Sequence, residues 1–210
     1  MSLNAKTQES KQIRVAQNYT KTTKLSELNI EAPFKVLPTT SIYSDLAKYD
    51  LSSRLKQELM GSLLPPIILC IGSDRVIGDA LGPIVGHLLV KKYNINTYVY
   101  GTLESPVNAL NVLETYEHIV ATHTTRDILV VDAAQSLHGT LGDIRAGRGS
   151  IQPASALRKN AFPQMGDYYC LGIVAETSFF SATLLASTRL GIIYRMAEII
   201  AAGIADALCN

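Results

Sequence analysis

A chain of 210 residues, 47% hydrophobic and 18% charged, has room for one full core and an extension but not for two comfortable domains. A formal net charge of +1, with no concentrated basic face, excludes nucleic acid or an anionic membrane as the organising partner. Cys70, Cys170 and Cys209 are scattered and lack CxxC spacing, which argues against a disulfide framework or structural zinc and fits a reducing cytoplasm.

The opening MSLNAKTQESKQ lacks the basic-then-apolar build of a signal peptide. The first 43 residues, rich in Lys, Thr, Asn and Gln, read as an N-terminal arm with little structure of its own. Residues 44–210 then form a single α/β domain, led by a helix at about 44–61 in which Leu46, Tyr49, Leu51, Leu55 and Leu59 recur at mostly helical spacing. Pro65 and Pro66 stop any helix, and the short apolar run IILCI is a central strand. DALGPIVGHLLVKKY returns to a helical period and places Asp79 where an N-cap belongs.

INTYVYGTLE is a second strand ending at Glu104, and SPVNALNVLETYEHIVAT a second helix with Pro106 in its first turn. RDILVVDAA supplies a third strand whose buried run ends on Asp132. Glycines 139, 142, 147 and 149 surround a short alternating segment that fits an edge strand or hairpin. YYCLGIVA is a further strand, followed by helices from Thr177 to Leu208. Within that stretch LGIIYRMAEIIAAGIADAL is broken by Arg195, Glu198 and Asp206, so it reads as a buried amphipathic helix rather than a membrane span. Strand–helix alternation of this kind implies a largely parallel sheet covered on both faces.

Ligand sites of open α/β sheets lie beyond the carboxyl ends of the strands. Five of the acids in residues 61–210, namely Asp74, Asp79, Glu104, Asp132 and Glu176, follow a predicted strand directly or within its next loop. If the first central strand lies between the second and third, Asp79 and Asp132 emerge from neighbouring strands. Two carboxylates at close range share a proton at neutral pH, so one can draw a proton from water while the other polarises a carbonyl. With a third ligand the same pair could hold a divalent ion. Each acid also has a structural role open to it: Asp79 as helix cap, Asp132 as turn cap, Glu104 bonding local amides and Glu176 at a helix start. The four histidines show neither HxH nor HExxH spacing, and GxGxxG, GKS/GKT and GxSxG are all absent. Cys70 and Cys170 fall inside strands, as buried thiols do.

Taken in order, CIGSDRVIGDALGP, VYGTLESPVNALN, ILVVDAA, GDIRAGRG, GIVAETSFF and TRLGIIYRMAEIIAAGI resemble the YyaC-like sporulation proteins of endospore-forming Firmicutes, over roughly residues 60–208. That family in turn is similar to the spore germination protease and, more distantly, to the hydrogenase maturation proteases. The resemblance implies a three-layer, phosphorylase/hydrolase-like α/β fold with a mostly parallel central sheet flanked by helices. It also matches Asp79 and Asp132 to the germination protease's proposed catalytic aspartates. In the maturation proteases the matching carboxylates bind nickel of the substrate together with a histidine from a segment resembling HQTSF. Here that stretch is AETSF, and Ala175 stands at the histidine position.

The expectation is therefore a peptidase-type hydrolase of sporulation with Asp79 and Asp132 as acid–base pair, and with Ser73, Asp74, Glu104 and Glu176 lining the substrate cleft. No cofactor and no bound metal are expected. The substrate would be a protein or peptide, spore proteins included, in the cytoplasm of the forespore or mother cell. The competing reading is a catalytically silent binding or regulatory protein that keeps the cleft, and a metallopeptidase stands third.

Overall fold

The computed structural model describes residues 39–136, 140–153, 162–176 and 187–209, apart from the side chain of Glu176. Most of the expected arm, residues 1–38, lies outside the described residues, as do His138, Gly139 and the start of the expected C-terminal helices. Within these bounds the order is β1 (Thr40–Ser41), α1 (Ala47–Leu59), β2 (Ile67–Cys70), α2 (Leu81–Lys91), β3 (Val99–Tyr100), α3 (Val112–Thr122), β4 (Ile128–Ser136), β5 (Asp143–Arg148), β6 (Tyr168–Glu176) and α4 (Leu190–Leu208).

The six strands form one sheet in the order β1-β5-β6-β4-β2-β3. The pairs β3/β2, β2/β4 and β4/β6 are parallel, and β5 and β1 add antiparallel at the far side. The first central strand thus lies between the second and third, which brings the carboxyl ends of β2 and β4 side by side. All four residues of β2 are fully buried, the pattern of a parallel strand covered on both faces.

Strand alternation divides the apolar residues into two layers. Ile68, Cys70, Leu129, Val131, Tyr168 and Cys170 pack against α1, α2 and α4. Ile67, Leu69, Ile71, Val130 and Met165 pack with Val107 and with Val112 and Ile119 of α3. The 19-residue α4 buries Ile193, Met196, Ala197, Ile200, Ala201 and Ile204, a stripe at helical spacing, and its charged breaks lie off that stripe. Among the described residues no helix is long and apolar enough to cross a membrane.

Several element boundaries differ from those expected. Asp79 does not cap α2: it ends a short 3-10 turn, Ile77–Asp79, and Ala80 is the flanking residue of the helix. The second central strand stops at Tyr100, short of Glu104. Pro106 is not in a helix, because Val107 is held extended by a parallel bridge to Ile71 and by the Gly72 amide donating to its carbonyl at 2.8 Å, so α3 begins only at Val112. Asp132 does not end its strand but is fifth of nine residues in β4, whose pairing with β6 continues to Ser136. β5 is not an edge strand, since Thr40 and Ser41, from the end of the expected arm, pair along its outer side.

Candidate active site

Two backbone connections bring the β2 and β4 loops together. The Ile71 amide donates to the Val131 carbonyl at 2.8 Å, placing the end of β2 one residue from Asp132. Beyond it, Gly72 turns with φ +146° and the Ser73 amide donates to the Asp79 carbonyl at 3.1 Å, closing the loop back onto the start of α2. Asp79 and Asp132 are thereby carried to the same end of adjacent parallel strands, where ligands of open α/β sheets bind.

Asp132 is 6% exposed, the one buried carboxylate among the described residues, and its Oδ1 accepts the Ala133 amide at 2.8 Å. Alternation puts it on the face of Ile128 and Val130. Asp79 is half-buried; burial pushes its carboxyl above the usual carboxylate range, and a hydrogen bond from the Ser73 backbone partly offsets this. Burial thus lets the Asp79 carboxyl keep its proton more readily than usual, and Asp132 lies buried on the neighbouring strand.

The other expected cleft residues are placed differently. Ser73 is half-buried in the loop itself, with its Oγ accepting the Arg75 amide at 3.3 Å. Asp74 is exposed in the adjoining turn. Glu104 reaches the flank of α2, 3.2 Å from His87 Nδ1 and 3.7 Å from Lys91 Nζ. Hydrogen bonds from its own amide, then from His87, hold its carboxyl below the usual value. Glu176 closes β6, and its side chain lies outside the described residues.

Ala175, at the position matched to a metal-binding histidine, lies in β6 and is 7% exposed; its methyl group offers no donor. Among the described residues no group of three or more His, Cys, Asp or Glu could hold a metal ion. Among the described residues the donors do not fit a nickel-reading site. The thiols are remote from such chemistry: Cys70 and Cys170 are fully buried, and burial raises Cys170 to about 12 and Cys70 further.

Two features escaped sequence reasoning. Asp132, Leu171 and Arg145 stand in one register row across β4, β6 and β5, and Arg145 Nε is buried with no hydrogen-bond partner among the described residues. A cavity of about 390 Å³ also opens between β3 and α3, lined by Tyr100, Thr102, Asn111, Glu114 and His118 among others. Asn111, Glu114, Thr115 and His118 recur at i, i+3, i+4 and i+7, a polar stripe visible in the sequence.

A family model described as Protein of unknown function (DUF1256) matches residues 39–203. YyaC of Bacillus subtilis (strain 168), an uncharacterized protein, is 34% identical over 140 residues, which span 67% of this chain and 68% of YyaC. Among solved structures, the NiFe hydrogenase maturation protease HycI from Thermococcus kodakarensis KOD1 superposes with a TM-score of 0.51 at 21% identity, covering 74% of this chain and 99% of HycI. That likeness is one of fold.

Proposed function

The chain belongs to the DUF1256 family, and from that premise, joined to a fold shared with a maturation protease, we propose that it is a peptidase-type hydrolase with Asp79 and Asp132 as its acid–base pair. The observation that carries this reading is the buried carboxylate of Asp132, beside the loop that holds Asp79 at the end of the neighbouring strand. Asp132 lies on β4 beside the end of β2, on the side of the sheet where ligands of open α/β folds bind.

In this mechanism ionised Asp132 takes a proton from water as the hydroxide adds to the scissile carbonyl carbon. Asp79 gives its proton to the carbonyl oxygen, so a neutral gem-diol forms. Asp132 then passes its proton to the leaving nitrogen, a diol hydroxyl returns its proton to Asp79, and the C–N bond breaks to give acid and amine. The raised carboxyl of Asp79 suits the acid role. Substrates are proteins or peptides. Kinship with a Bacillus protein and the resemblance to the germination protease together favour spore proteins and a role in sporulation.

The test is cleavage of small acid-soluble spore proteins by the purified full chain, read by mass spectrometry of the fragments. Asp79→Asn and Asp132→Asn each lose cleavage by about a hundredfold or more. Undiminished cleavage in both variants removes the acid pair, and no cleavage by the unaltered chain favours a binding protein that retains the cleft.

A further inference from the structure

The cavity between β3 and α3 lies against the loop that carries Asp79 and is lined by neither proposed catalytic acid. Among the described residues β3 ends the sheet. Ile68 pairs with Val99 in parallel register and donates its amide to the Tyr98 carbonyl at 2.9 Å, so the amide and carbonyl of Val99 face away from β2. Val99 and Tyr100 form one wall of the cavity, and the polar stripe of α3 forms the other.

The walls are already fixed. Asn111 Oδ1 accepts the Asn108 amide at 2.8 Å, its Nδ2 donates to the Pro106 carbonyl at 3.2 Å, and Thr102 Oγ1 accepts the Ser105 amide at 3.2 Å. A preformed site loses little in ordering on binding. The charge is one-sided: α3 carries Glu114 and Glu117 with no Lys or Arg, and Glu114 forms no ion pair among the described residues. Val107 lines the cavity and accepts the Gly72 amide, so the cavity abuts the loop that carries Asp79.

We propose that this cavity is a docking site for an extended peptide that adds to β3 as a further strand and places a Lys or Arg side chain against Glu114. An unpaired strand edge supplies main-chain hydrogen bonds, and the pocket beside it selects the side chain. The inference deepens the hydrolase reading by naming the class of substrate, an extended segment with a basic residue, and it rests on that reading for its connection to cleavage.

Fluorescence anisotropy with a labelled β-prone hexapeptide carrying a central lysine, and its twin carrying norleucine, tests the docking directly. The lysine peptide binds roughly threefold to fivefold more tightly, as expected of a solvent-exposed ion pair. Glu114→Gln abolishes that difference. Val99→Pro removes the outward amide while leaving the donors toward β2, and weakens both peptides about tenfold. Peptides N-methylated at alternate amides show the same loss on the unaltered chain, so the result does not depend on how well Val99→Pro folds.

Equal affinity for lysine and norleucine, or binding indifferent to both Val99→Pro and N-methylation, overturns the proposal. So does an edge that pairs with a second copy, seen as a dimer by sedimentation that Val99→Pro dissociates. Asp79→Asn binds both peptides as the unaltered chain does. Peptide binding as described without any cleavage leaves the docking site standing and removes the hydrolase reading. Cleavage with an unchanged KM in Val99→Pro and Glu114→Gln removes the docking site alone.

Discussion

A β-carbon placed on Gly72 would stand 2.0 Å from the carbonyl oxygen of Asp79. This approach, with φ at +146°, lets the chain leave β2 and return at once to the start of α2. Gly72→Ala therefore suffers both backbone strain and a clash with main chain that cannot rotate away. The expected loss is about 3 kcal/mol or more, read as a fall in the urea midpoint at constant slope. Gly82→Ala behaves alike for a purely steric reason, since its β-carbon would meet the Ile71 carbonyl oxygen at 2.1 Å. A variant at Gly72 as stable as the unaltered chain would show that the loop has another conformation of equal energy.

Ser52 Oγ donates to Asp206 Oδ2 at 2.5 Å, joining α1 to α4, and Lys56 Nζ lies 3.4 Å from the same oxygen. The Ser52 hydrogen bond, followed by Lys56, holds the Asp206 carboxyl below its usual value. A lowered folded value means that the contribution is present above the unfolded pKa and is lost as pH falls through the folded one. Ser52→Ala thus lowers the thermal midpoint at neutral pH, and the difference shrinks in acid as Asp206 takes up its proton. A difference that stays constant from neutral pH into acid would assign the effect to packing of the buried serine instead.

The central strands were legible because they are short apolar runs separated by helical periods, and the order of β3, β2 and β4 is the one doubly wound sheets favour, whereas the pairing of β1 with β5 was not. Boundaries were less legible wherever a distant partner decides them. Nothing local to SPVNALN shows that Val107 is drawn into a bridge with Ile71, yet that bridge displaces the helix start from Pro106 to Val112. Asp132 reads as a strand end because an acid interrupts apolar residues, whereas pairing of β4 with β6 carries the strand past it. What was legible for the two aspartates was that the strands before them, β2 and β4, are neighbours in the sheet. Glu104 was not legible, because its partners His87 and Lys91 lie on the preceding helix and only the folded packing brings them within reach.

Asp79 offers a measurement in which stability and activity can be compared on one residue. Burial raises its folded pKa above the unfolded value, so between the two the folded chain binds more protons than the unfolded one. Stability is then greatest below that window and falls as pH rises through it, the reverse of the behaviour of Asp206. Asn at this position is neutral throughout and escapes the loss. Asp79→Asn is expected to melt above the unaltered chain at about pH 7 and together with it at about pH 4, as followed by circular dichroism. Cleavage moves the other way, because a proton donor is most effective while it holds its proton: activity of the unaltered chain declines on the alkaline side over the same window in which its stability falls. A thermal midpoint for Asp79→Asn below that of the unaltered chain at neutral pH would mean that the carboxylate is stabilised by its surroundings, and the acid role would then fall to Asp132.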